Sequence, residues 1–185
     1  MLEKWAHRAD LAETAINERH AHAVWGLPRT NLAVVSWPPT TKESLFVHWH
    51  YWWQAHYLDC QVDAALRKNT KMRRTLIANT IRGIHVRNLR ALTKNRYYDD
   101  KAWMALAMAR AGELKKLRPH KKLGTLQGNI HAGLDAQEGV LPWREGETFL
   151  NVPSNGPGAF MLARMGLLEE ARHIVDWIYD LSLIH

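Results

Sequence analysis

Tyr97-Tyr98-Asp99-Asp100-Lys101-Ala102-Trp103-Met104-Ala105-Leu106-Ala107 organises the rest of the chain. From Asp99 to about Leu114 the apolar residues Trp103, Leu106, Ala107 and Ala111 recur at three- and four-residue steps, which predicts a helix opening at the Asp pair. Acidic residues are favoured in a first helical turn, because unpaired amides and the helix dipole stabilise negative charge there. That accounts for any Asp-Asp at such a place. The aromatic flanks add a second reading. Carboxylates walled by flat apolar rings suit the cleavage of glycosidic bonds: rings stack on the sugar and acids act on the bond.

Upstream, residues 2–24 predict a first helix, with Leu2, Trp5, Ala9, Ala12 and Ile16 at helical spacing. Gly26 to Pro39 holds three prolines, so an irregular segment is expected. Thr40 and Glu43 have capping-box spacing and predict a second helix running to about Lys68, apolar around much of its circumference. A third is expected over about 71–93. Downstream of the Asp-pair helix, which Pro119 should stop, residues 120–135 are ambiguous because Gly124, Gly128 and Gly133 interrupt a helical pattern. Asn151-Val152-Pro153 is a helix-start signal for a fifth helix ending before Gly166. A sixth begins near Leu167. No stretch alternates as a half-buried strand would, so the class is all-α, built of antiparallel helix pairs.

The 185 residues suffice for one domain, taken as 1–185. Apolar residues make up 46%, ordinary for a soluble globular protein, but nine tryptophans exceed what core packing alone explains. The net charge of +7 invites an anionic partner. Its densest groups are Arg67, Lys68, Lys71, Arg73 and Arg74, and Lys115, Lys116, Arg118, Lys121 and Lys122. They are spread along the chain and read as a solvated rim. Nucleic acid is therefore not the expected partner, and a basic helical nucleic-acid binder is kept only as an alternative. The single Cys60 excludes an intrachain disulfide and reads as a small core residue. Met1 to Asp10 is charged and lacks the apolar core of a signal peptide, and no run is long enough to span a membrane. The expected location is the cytoplasm, with no membrane partner. His56 with Asp59 or Cys60 has ligand-like spacing, but no second ligand pair matches it, so neither a metal nor another cofactor is expected.

Four segments together resemble glycoside hydrolase family 76, the α-1,6-mannanases: Trp52-Trp-Gln-Ala-His-Tyr-Leu-Asp-Cys-Gln-Val-Asp63, the segment from Tyr97 to Ala107, Gly139-Val-Leu-Pro-Trp143, and Asn151-Val-Pro-Ser-Asn155. The resemblance implies an (α/α)6 barrel, a toroid of six helical hairpins. This chain would be its N-terminal half, a partial barrel truncated at the C-terminus. It implies a retaining glycosidase acting on mannose-containing polysaccharide or oligosaccharide, with Asp99 as nucleophile and Asp100 as general acid/base; the 185-residue portion alone need not be active. Tyr98, Trp103 and Trp143 would be cleft walls. Asn151 and Asn155 would hydrogen-bond sugar hydroxyls, with helix capping as an equal alternative. Adjacent Cα atoms lie about 3.8 Å apart and their side chains diverge by about 100°, compatible with the roughly 5–5.5 Å carboxylate separation of retaining enzymes. A half-barrel would also leave faces exposed for self-association. A non-catalytic carbohydrate-binding fragment is the alternative within the same resemblance.

Overall fold

The computed structural model describes residues 2–114 and 120–183. Lys115, Lys116 and Arg118 of the second basic group, the helix stop assigned to Pro119, and Ile184-His185 lie outside the described residues. Within them the chain is all-α, with helices α1 (Leu2–His20), α2 (Thr41–Ser44), α3 (Tyr51–Arg67), α4 (Lys71–Arg87), α5 (Tyr98–Glu113), α6 (Leu123–His131), α7 (Val152–Arg164) and α8 (Leu168–Leu183). The exception is a two-residue antiparallel ladder, β1 (Ala21–His22) with β2 (Leu32–Ala33), in register Ala21 to Ala33 and His22 to Leu32. It replaces the last turn predicted for the first helix.

The chain divides into two compact units, residues 1–92 with 110–118 and residues 93–109 with 119–185. In the first unit the capping box at Thr40 forms as expected. It opens only the four-residue α2, because Phe46 (φ 51°) and His50 (φ 43°) turn the backbone out of the helix. Phe46 is thereby fully buried. Helix α3 then packs against α4 through Leu58, Val62, Ile77 and Ile84, all fully buried.

Polar residues threaded through α3 hold the proline-rich segment. The Gln54 amide exchanges two hydrogen bonds with the Ala33 backbone, at 2.9 and 2.8 Å. Asn31 donates to Thr80 Oγ1 at 2.9 Å and to the Tyr57 hydroxyl at 3.2 Å. Gly83 permits this approach, since a Cβ there would sit 2.2 Å from the Asn31 carbonyl oxygen. Cys60 is exposed rather than in the core. It shares the outward face of α3 with Trp52, Trp53 and Asp63, all exposed. Trp53, Cys60 and Asp63 of that face border a cavity against α1 instead of being buried in the core. Asp59 and Asp63 both pair with Arg110, which belongs to the same unit.

In the second unit, α7 and α8 form a hairpin through Met165–Leu167, and α6 packs on α7. Met104, Met108, Leu126, Ile130, Leu141, Met161, Leu162 and Ile174 are among its buried apolar residues. The ambiguous stretch resolves into α6. Gly124 and Gly128 have open space around them. Gly133 is required, because a Cβ there would lie 2.1 Å from the Tyr98 ring.

Candidate active site

Every sequence-predicted site residue falls in the second unit. Asp99 and Asp100 occupy the first turn of α5. Asp99 Oδ1 accepts the Asp100 backbone N–H at 2.8 Å, one of the amides a helix start leaves without an intrahelical partner. Asp100 Oδ2 accepts from Asn95 Nδ2 at 2.7 Å, and Asn95 Oδ1 accepts the Tyr97 N–H at 2.8 Å. Asn95 thus bridges the segment entering α5 and the acidic turn. The sequence reading missed it; its only signal is an asparagine preceding a helix start, a common turn residue.

Both carboxyls are half-buried, and their acidity follows from that. Burial pushes the Asp99 carboxyl above the usual carboxylate range, against the N–H donors that favour its ion. Burial pushes Asp100 further, to about 6; the Asn95 amide opposes the shift and the Asp99 charge adds to it. Two adjacent acids with separated acidities are the arrangement that divides acid and nucleophile duties.

The loop after Gly139 is fixed to the start of α5 by backbone. Tyr98 N–H donates to the Trp143 carbonyl at 3.1 Å, Glu145 N–H to the Arg96 carbonyl at 2.8 Å, and Trp143 N–H to the Phe149 carbonyl at 2.7 Å. The Lys101 ammonium, buried in the same turn, pairs with Glu145. Trp143 is thereby held between Tyr97, with ring centroids 5.2 Å apart, and Phe149, at 6.4 Å. Trp143 is 37% exposed and Trp103 is 36% exposed. Trp103 lies three residues after Asp100 and four after Asp99, on the same side of the helix.

The other predicted contacts have structural duties. Tyr98 is only 8% exposed; its ring lies against Gly133 and 4.7 Å from the Lys101 ammonium. Tyr97, rather than Tyr98, is the tyrosine whose ring packs against Trp143. Asn155 is fully buried, and its amide accepts from Leu141 N at 2.7 Å and donates to the Leu141 and Asn151 carbonyls, each at 2.8 Å. Asn151 caps α7, its Oδ1 accepting the Ser154 N–H at 3.0 Å. The capping alternative accounts for Asn151, and a clamp on the Leu141 backbone accounts for Asn155.

Among the described residues no group of three or more His, Cys, Asp or Glu side chains is placed to hold a metal. A cavity of about 500 Å³ lies in the first unit, between α1 and α3, lined by Ala12, Ile16, Trp53, His56 and Cys60 among others. It includes none of the predicted site residues.

The chain is similar to the GH76A α-1,6-mannanase from Salegentibacter sp. HEL1_6, with TM-score 0.78 and 22% identity over 95% of this chain and 51% of that one. It is similar also to the Lin0763 protein from Listeria innocua, with TM-score 0.77 and 20% identity over 94% of this chain and 51% of that one. A variant of the Salegentibacter enzyme matches with TM-score 0.76, 21% identity and the same coverage of both chains. That variant is inactive, with two consecutive aspartates changed to asparagine, and is in complex with α-1,6-mannotriose. This chain spans about half the length of these solved relatives. No protein-family model and no curated protein matches it. At this identity the likeness shows the fold: an all-α arrangement of antiparallel helix pairs, matching about half of a GH76 (α/α) toroid.

Proposed function

We propose that this chain carries the catalytic carboxylates of a retaining glycoside hydrolase acting on α-1,6-linked mannan. The observation that carries the reading is the pair at the start of α5. Adjacent Asp99 and Asp100 are both raised in pKa by burial, Asp100 to about 6, at a helix start to which the Trp143 loop is fixed by backbone pairing. The inactivity of the mannotriose-bound relative that lacks two consecutive aspartates supports it.

Asp100 acts as the acid, giving its proton to the glycosidic oxygen as the bond to the anomeric carbon breaks. The ionised Asp99 attacks that carbon and forms a glycosyl ester. A water then replaces Asp99, with Asp100 as base, and the configuration is retained. Trp103 and the Tyr97–Trp143–Phe149 cluster offer apolar faces to the sugar rings.

The deciding experiment incubates the full chain with α-1,6-mannan and follows new reducing ends, with α-1,6-mannotriose binding measured by calorimetry in parallel. Release of reducing ends supports the proposal. Binding without turnover supports the non-catalytic carbohydrate-binding reading instead. No sugar binding, with salt-steep binding of polynucleotide, supports the nucleic-acid reading.

A further inference from the structure

We infer that Asn95 is the positioning residue for the acid: by holding one oxygen of the Asp100 carboxyl it leaves the other oxygen to carry the proton. The inference rests on the glycosidase reading above.

The argument begins with the orientation of the Asn95 amide. An asparagine amide has one accepting end and one donating end. The Tyr97 backbone N–H can only donate, so the end facing it is the Asn95 oxygen, at 2.8 Å. The end facing Asp100 Oδ2, at 2.7 Å, is therefore the NH2 group. In a protonated carboxyl the carbonyl oxygen is the stronger acceptor, so the amide on Oδ2 favours Oδ2 as the carbonyl and Oδ1 as the oxygen that carries the hydrogen.

In the first chemical step the Oδ1–H bond breaks and a new O–H bond forms on the glycosidic oxygen. The electron pair of the breaking carbon–oxygen bond goes to that same leaving oxygen. In the second step Oδ1 recovers a proton from the attacking water. Oδ2 stays on the Asn95 amide throughout, and that hydrogen bond strengthens when the carboxylate is charged.

The other charged groups nearby are engaged elsewhere. Lys101 pairs with Glu145, Arg144 pairs with Glu147, and Arg96 donates to the Glu145 carbonyl at 3.2 Å. Asp99 and Asn95 are the neighbours that act on the Asp100 charge. They act in opposite directions: Asp99 favours the protonated acid and Asn95 the ionised base. The double duty of a retaining acid/base needs both forms within one turnover.

The test uses two variants of the full chain. Asn95→Asp keeps an oxygen for the Tyr97 N–H, removes the donor to Asp100 and sets a second carboxylate against it. Asn95→Ala removes both. Asp100 is followed by carbon NMR titration of its carboxyl, and kcat/KM on mannan is measured against pH. Loss of the donor should move the Asp100 titration and the basic limb of the rate profile upward together, by roughly a pH unit in Asn95→Ala and by more in Asn95→Asp, whose added carboxylate repels the Asp100 charge. Turnover of mannan should fall about tenfold or more, and turnover of an activated aryl mannoside by less. An Asp100 titration unmoved in a folded Asn95→Ala overturns the inference, since a purely structural asparagine gives that result. The titration needs no turnover. If it moves while the unsubstituted chain leaves mannan intact, the assignment of Asn95 to Asp100 stands and the proposed activity falls.

Discussion

Lys101 is 1% exposed and its ammonium is paired with Glu145, whose side chain remains 47% exposed. The pair joins the first turn of α5 to the loop carrying Trp143, across 44 positions of sequence. It is asymmetric, and the asymmetry predicts unequal mutants. Glu145→Gln leaves a buried ammonium with a neutral amide in place of its counter-charge, whereas Lys101→Met leaves a carboxylate that water reaches. Removing one partner of a buried pair is strongly destabilising, and the exposure of Glu145 moderates this. Glu145→Gln should lose about 2 kcal/mol in urea unfolding and Lys101→Met about 1 kcal/mol or less. Equal losses would mean that the burial of Lys101 does not matter.

Asp100 predicts a stability that depends on pH in the unusual direction for an aspartate. Its carboxyl titrates near 6 in the fold and at about 3.9 in the unfolded chain. The folded state therefore binds the proton more tightly. The stability from this group is greatest below pH of about 4, declines as pH rises through the window from about 4 to 6, and stays lost above it. Asp100→Asn removes the titration. Allowing for its partial exposure, the variant should be more stable than the unsubstituted chain by about 1–2 kcal/mol at pH 8, with the gain vanishing at pH 4. Urea midpoints at the two pH values measure it, and a gain independent of pH would contradict the account.

The sequence made some of this legible and hid the rest for physical reasons. Helix starts are local, so Thr40 with Glu43, Asn151, and the Asp pair could each be read from spacing alone. The break between α2 and α3 could not. It depends on non-glycine residues at positive φ, Phe46 and His50, an unfavourable backbone held by burying Phe46. Cys60 was misplaced because periodicity gives a helix its faces but does not say which face another element covers. Asn95, Lys101 and Glu145 escaped notice because their roles rest on where the chain returns. Trp103 and Trp143 were singled out through the resemblance to glycoside hydrolase family 76, because a count of nine tryptophans does not say which of them lie outside a core.

The asparagines of the α7 start separate structure from sugar binding. Asn155→Ala removes both partners of the Leu141 backbone and leaves buried polar groups unsatisfied, a loss of about 2–3 kcal/mol. Asn151→Ala removes one cap bond, a loss of about 1 kcal/mol. Thermal or urea unfolding of the two variants should rank them in that order. At temperatures where both stay folded, their affinity for α-1,6-mannotriose should match the unsubstituted chain. A weakened affinity at unchanged stability would restore them as sugar ligands.

The final prediction concerns the acid pair. Cleaving an acetal near neutral pH needs a group that protonates the leaving oxygen and another that attacks the anomeric carbon. Asp59 and Asp63 are paired with Arg110, and Glu145 with Lys101. Asp99 and Asp100 are adjacent, half-buried, and bonded to N–H donors rather than cations. Asp99→Asn and Asp100→Asn should each reduce mannan turnover by orders of magnitude while melting temperature and mannotriose binding survive. The two roles then separate by leaving group. An activated aryl mannoside departs with little protonation, so Asp100→Asn should retain its first step far better than Asp99→Asn. Proton NMR of the first-formed product should show the α anomer, because two displacements restore the starting configuration. First appearance of the β anomer, or near-normal mannan turnover by either variant, would remove the pair from these roles.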